Sequence, residues 1–248
     1  MSKDPRILKA YKNLREPDNV YVIISSKGGV GKTTVSVLLA IYSSSMGYST
    51  GLLDLDFVNP STHVILGLKP EDIKYVEKRG ILPFNIFDKL NYFTIISYTK
   101  DNPIALRGSS AKSALWEILS VINWGRLDAL FIDTPPGVGD EHLELLYELK
   151  DLLKPVVVSP SSQIALNSTR KTIEILKELG YRQIYFIENM STGKLRDYAE
   201  KLGVIYLGFV PFSQSLEFSL GDLNKLLELE LKYYMGRILE KLFGKQLN

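Results

Sequence analysis

Residues 26–34 read SKGGVGKTT and directly follow an apolar run, Val20-Tyr21-Val22-Ile23-Ile24. An apolar stretch, a glycine-rich turn and a second apolar stretch (Val35 to Met46) predict a strand, a tight loop and a helix. A glycine-rich turn in that position directs backbone N–H groups inward, where they cradle phosphate oxygens. Lys32 is then placed to reach β- and γ-phosphates, and the Thr33 hydroxyl to hold Mg²⁺. The common pattern is G-x-x-x-x-G-K-[ST]. Here Ser26 takes the first glycine position and Lys27 follows it, so the loop carries two lysines. One phosphate cradle needs only one of them.

Two further motifs fall where a nucleotide site needs them. Gly51-Leu52-Leu53-Asp54-Leu55-Asp56 reads as a short strand ending in carboxylates at i and i+2. Strand alternation predicts that both acids project from one side, into the crevice where doubly wound sheets bind ligands. They suit Mg²⁺ coordination through water and orientation of an attacking water. Ala129 to Ile132 followed by Asp133 forms a Walker B pattern, in which Asp133 holds Mg²⁺ through water. Pro135 and Pro136 stiffen the next loop, and Gly137 lets the backbone approach a γ-phosphate. Such a segment is ordered by the γ-phosphate and released after hydrolysis.

Strands are predicted near 20–25, 50–55, 92–97, 128–133, 155–159, 183–188 and 204–210. Helices are predicted near 4–15, 32–46, 110–122, 140–150, 163–179, 192–202 and 222–243, with Gly47, Gly180 and Gly203 at helix stops. Strand–helix alternation predicts an α/β doubly wound, mostly parallel sheet with helices on both faces. Residues 67–91 are less regular and leave room for an excursion or an extra strand. The 248 residues are expected to form one domain, 1–248, with 1–18 as an N-terminal extension.

The chain has no cysteine, which removes disulfides, thiolate metal sites and the usual ligands of iron–sulfur clusters. His63 and His142 lie far apart and predict packing or surface roles. A net charge of +2 does not by itself indicate a polyanion-binding surface, so a nucleic-acid partner is not expected. No signal peptide and no membrane-spanning run are read, and a cytoplasmic location is expected.

The loop SKGGVGKTT resembles the deviant Walker A of the ParA/MinD class of P-loop ATPases. DLDFVNPSTHVILG, PIALRG, WGRLDALFIDTPPGVGDEHL and Ile187-Glu188-Asn189-Met190-Ser191 resemble blocks of its Mrp branch, and the likeness runs from about residue 20 to the C-terminus. The resemblance implies a homodimer that sandwiches two ATP molecules, with Lys27 crossing to the partner's phosphates to stabilise developing charge. It implies ATP cradled by Lys27, Gly28, Gly29, Val30, Gly31, Lys32, Thr33, Thr34 and Gly137. Lys27, Lys32 and Asp56 are then catalytic, and Asp56 positions water. Thr33, Asp54 and Asp133 are placed around the metal. Asn189 reads adenine, and Pro211 with Phe212 flanks the base.

One departure is large. Members of this branch usually follow E-N-M-S with C-x-x-C, whereas Ser191-Thr192-Gly193-Lys194-Leu195-Arg196 runs into a predicted helix. A cysteine-ligated cluster of the usual kind is not available. A role in iron–sulfur protein maturation or cargo delivery therefore stands as a family-level expectation, with the cargo and client unknown. A surface-cycling positioning ATPase, as in MinD or ParA, and an adaptor without hydrolysis are the alternatives. The amphipathic C-terminal stretch is similar to a MinD membrane-targeting helix. Its acids Glu228, Glu230 and Glu240, and the stripe Tyr234, Ile238 and Leu242, favour packing on the sheet over membrane contact. Arg107-Gly108 reads equally as a contact near the dimer or cargo face and as a helix entry with Gly108 or Ser109 as cap.

Overall fold

The computed structural model describes residues 4–100, 109–137 and 139–244; Arg107 and Gly108 lie outside them. The strands are β1 (Val20–Ile24), β2 (Thr50–Asp54), β3 (Val76–Glu77), β4 (Ile81–Leu82), β5 (Phe84–Phe87), β6 (Leu90–Phe93), β7 (Ala129–Asp133), β8 (Leu153–Ser159), β9 (Tyr185–Asn189) and β10 (Ile205–Val210). The helices are α1 (Pro5–Leu14), α2 (Lys32–Ser45), α3 (Thr62–Leu66), α4 (Ile96–Thr99), α5 (Ser109–Val121), α6 (Asp140–Glu148), α7 (Gln163–Glu178), α8 (Arg196–Lys201), α9 (Gln214–Glu217), α10 (Leu223–Glu228) and α11 (Leu231–Phe243).

Eight strands form one sheet in the order β10-β9-β8-β1-β7-β2-β6-β5. Every pairing is parallel except β5 with β6. The central strands are apolar throughout because helices cover both faces. Period-2 alternation divides them cleanly. Val20, Val22, Ile24, Leu130 and Ile132 join one core with α1, α5, α6, α7 and α8. Tyr21, Ile23, Ala129 and Phe131 join the other with α2, α3, α10 and α11. Each such buried aliphatic side chain stabilises the fold by roughly 1.5–3 kcal/mol. The chain leaves β1 toward β2 on one side and later returns through β8 on the other. A crevice therefore opens at the carboxyl end of β1, where such sheets bind ligands.

Three predicted elements are shorter than expected. The strand predicted at 92–97 stops at Phe93, because the Tyr75 hydroxyl takes both backbone groups of Thr94: Thr94 N donates to it at 2.9 Å and it donates to Thr94 O at 2.7 Å. The helix predicted at 192–202 begins only at Arg196. Before it, the Glu188 carboxylate accepts from Lys194 N at 3.1 Å, Leu195 N at 2.9 Å and the Ser191 hydroxyl. The helix predicted at 222–243 is two helices, broken where Leu229 turns extended and buries its side chain. Residues 67–91 hold the β3–β4 hairpin and the antiparallel strand β5. Helix α11 packs Leu231, Met235, Ile238, Leu239 and Leu242 into the core, so its apolar face is committed to the sheet. No helix among the described residues is long and apolar enough to cross a membrane.

Candidate nucleotide site

The loop between β1 and α2 is held open by its backbone. Gly31 caps α2 at φ 77° with no side-chain cap. Among the described residues, no backbone N–H from Lys27 to Thr34 donates to a protein acceptor, and the first to do so is Val35 N, to Gly31 O at 2.9 Å. Backbone donors are normally paired, so a run of free N–H groups at a helix N-terminus is built to receive an anion. Lys27, Gly28, Gly29, Val30, Gly31, Lys32 and Thr33 line one cavity of about 300 Å³ with Ser25, Asp56, Asn59, Ser61 and Pro136.

Asn189 supports the loop from below, donating Nδ2 to Val30 O at 2.8 Å. A Cβ on Gly31 would lie 2.3 Å from that nitrogen. Gly31→Ala is expected to combine this clash with a left-handed strain of about 1–2 kcal/mol, displace the loop and weaken nucleotide binding. Titration of wild type and variant with a fluorescent ATP analogue checks this, and equal affinities would contradict it.

Asp133, at the end of β7, gathers the polar groups of α2. Its Oδ1 accepts from Lys32 Nζ at 2.6 Å and Ser36 Oγ at 2.7 Å, and its Oδ2 from Thr33 Oγ1 at 2.9 Å. Lys32 and Asp133 are both buried. The two acids at the carboxyl end of β2 have different surroundings. Alternation ends at Asp54, the last strand residue. Asp54 is buried, and its carboxylate accepts from Asp56 N at 2.9 Å and Thr62 Oγ1 at 2.6 Å. Asp56 lies beyond the strand, half-buried, and lines the cavity. Thr62 in turn bonds the Tyr92 hydroxyl at 2.7 Å. Ser36, Thr62 and Tyr92 were not expected at the site from the sequence. Ser36 was detectable as a hydroxyl one turn after Lys32; nothing local marked the other two.

Burial, and next the adjacent Asp133, push the Asp54 carboxyl up to about 7. Because this lies above the unfolded value of 3.8, the folded chain binds the proton more tightly. The contribution of Asp54 to the stability of the nucleotide-free protein should therefore fall as pH rises from about 4 to about 7. Urea unfolding of wild type against Asp54→Asn checks this: the stability difference between wild type and variant should move against wild type across that range, and a difference independent of pH would contradict it.

Thr34 follows on α2 but is not among the cavity-lining residues, and neither are Gly137, Asn189, Pro211 and Phe212. Gly137 N donates to Ser25 O at 3.0 Å, which ties the loop after β7 to the cradle. Phe212, just past β10, is 75% exposed. His63 and His142 are both buried.

A doubly wound sheet with a lysine-bearing glycine loop after its central strand, and an acid at the end of the neighbouring strand, defines a nucleotide-binding P-loop NTPase, and the family match and structural neighbours place it in the ParA/MinD class. The chain belongs to the family of NUBPL iron-transfer P-loop NTPases, whose family model matches residues 16–206. It is 32% identical to the iron-sulfur cluster carrier protein of Methanocaldococcus jannaschii, over 96% of this chain and 90% of that one. It is 33% identical to the cytosolic Fe-S cluster assembly factor Nubp2 homolog of Drosophila simulans, over 70% and 68%. Among solved structures, a nucleotide-binding protein of Archaeoglobus fulgidus in complex with ADP superposes with a TM-score of 0.72 and 25% identity, over 90% of this chain and 93% of that one. The MinD cell division protein of Aquifex aeolicus shares the fold, with a TM-score of 0.63 at 20% identity over 93% and 98%.

Proposed function

We propose that this chain is a Mg²⁺-dependent ATPase that switches between monomer and ATP-bound homodimer, and that it hands iron–sulfur clusters or a related cargo to client proteins. The observation that carries the nucleotide reading is the run of N–H groups from Lys27 to Thr34 that donate to no acceptor among the described residues, beside Lys32 and Thr33. The delivery reading rests on family membership and on relatives named as cluster carriers and assembly factors.

The donors around Asp133 fit Mg²⁺. Thr33 Oγ1 and the carboxylates of Asp133 and Asp54 are hard oxygen donors, the set this ion takes. Thr33 would hold it directly and the two acids through water. When bound, the ion would neutralise charge on the β- and γ-phosphates. Lys32, paired with Asp133 before nucleotide arrives, would exchange that carboxylate for phosphate. Asp56 would orient the attacking water from the cavity rim. Gly137 and the loop after Asp133 would sense the γ-phosphate. Lys27 is exposed and has no side-chain partner among the described residues. It is free to reach phosphates in a second subunit, which gives the extra lysine a role. Asn189, Pro211 and Phe212 would border the base.

With no cysteine in the chain, a delivered cluster would be ligated by donor, client or small thiols rather than by this protein. The test is transfer of a preformed cluster from a donor protein to an apo client, with and without Mg²⁺ and ATP. ATP-dependent acceleration is expected. An unchanged rate, with ATP turnover no faster than background, would contradict the proposal.

A further inference from the structure

Strand β10 is an edge of the sheet, paired only with β9, and a second cavity of about 450 Å³ wraps around it. None of its lining residues belongs to the nucleotide cavity. Arg196 enters from α8, which covers one face of the sheet, and Arg237 and Lys241 enter from α11, which covers the other. Three cations thus converge from opposite faces on one concave site. None has a carboxylate within ion-pair distance among the described residues. Glu240 is the one acid in the lining. The walls are aromatic. Arg196 and Lys241 lie 5.4 Å and 5.7 Å from the centre of the Tyr206 ring, and Phe209 meets Tyr234 edge-on at 5.2 Å.

Burial, and then Arg196, hold the Lys241 ammonium below its usual range, so the cluster carries a cost that an anion would relieve. The depth of the cavity is built in. Gly193 stands against the Phe209 ring, which a Cβ there would approach to 2.6 Å.

An extended peptide is a poor fit. β10 shifts register between Tyr206 and Gly208, and Lys241 Nζ donates to Leu207 O at 2.7 Å and Tyr206 O at 3.3 Å. A bulge and an inward lysine are devices that block strand addition. Among the described residues Lys241 keeps a third donor free, and neither arginine donates to any of them. We propose that this edge cavity binds a compact organic anion with two or more negative charges, its carboxylates or phosphates taken by the two arginines and Lys241 and its body resting on the aromatic wall.

The probes are citrate, trimesate and pyrophosphate, with acetate as a singly charged comparison, titrated calorimetrically at low salt into the intact protein freed of Mg²⁺, which these anions would chelate, and saturated with ADP to occupy the loop. Pyrophosphate against the carboxylates separates phosphate from carboxylate preference, and trimesate against citrate reads the aromatic wall. Saturable binding of at least one multivalent probe is expected, with acetate weaker. Arg237→Ala should weaken it at least about tenfold, the loss of one charge-assisted hydrogen bond. Glu240→Gln should tighten it, a change that a purely structural role would not produce. Arg196→Ala repeats the test from the opposite face, and the exposed arginines leave the fold unaltered when removed. No saturable binding, or binding indifferent to Arg237→Ala, Arg196→Ala and Glu240→Gln, would overturn the proposal.

Discussion

Lys32→Ala is expected to weaken nucleotide binding by about 100-fold or more, since it deletes a cation that bonds more than one phosphate oxygen. It should also destabilise the nucleotide-free protein. Lys32 Nζ sits 2.6 Å from Asp133 Oδ1, and both side chains are almost fully buried. Removing one member of a buried pair leaves an uncompensated charge, at a cost of about 3–5 kcal/mol. Adding Asp133→Asn to Lys32→Ala removes that stranded charge and should recover part of the lost stability, while nucleotide binding stays lost. Urea unfolding of the two single variants and the double variant completes the cycle. Equal stability of Lys32→Ala and wild type would show that the pair is not formed in solution, and unchanged nucleotide affinity would remove Lys32 from the site.

Lys27→Ala should behave in the opposite way. Lys27 is exposed and its ammonium makes no hydrogen bond or ion pair among the described residues, so stability should stay within about 0.5 kcal/mol of wild type. Nucleotide affinity of the monomer should change little, because the cradle is built from backbone N–H groups and Lys32. ATP turnover should fall by about 100-fold or more, the usual loss when a preorganised charge aimed at the transferring phosphoryl group is removed. Steady-state hydrolysis beside monomer nucleotide titration separates these effects. Full turnover by Lys27→Ala would remove the cross-subunit role.

The parts of this architecture that were legible in the chain are those governed by local pattern. Uninterrupted apolar strands such as Val20 to Ile24 and Ala129 to Ile132 announced a sheet buried on both faces, and the glycine loop announced its ligand edge. The pairings of the side-chain network behind that edge were not legible, even where a member such as Ser36 was, because they depend on contacts between distant segments. Ser36 reaches Asp133 across 97 positions, and Tyr92 meets Thr62 across 30. The same reason explains the misplaced boundaries. The expected alternation of Asp54 and Asp56 failed because β2 ends at Asp54, whose carboxylate then holds the turn that follows. The helix expected from 192 is delayed because Gly193 stands in the left-handed region at φ 81°, while Glu188, on β9, holds the N–H groups of Lys194 and Leu195. Leu229 carries a helical pattern through the C-terminal stretch, yet its burial breaks the helix in two.

The most direct test of the account is the solution mass of wild type and Lys27→Ala by light scattering, with Mg²⁺ and either ADP or a non-hydrolysable ATP analogue. The expected results are the 28.0 kDa monomer with ADP, a doubling of that mass for wild type with the ATP analogue, and little or no doubling for Lys27→Ala. A wild-type mass that is the same with both nucleotides would contradict it.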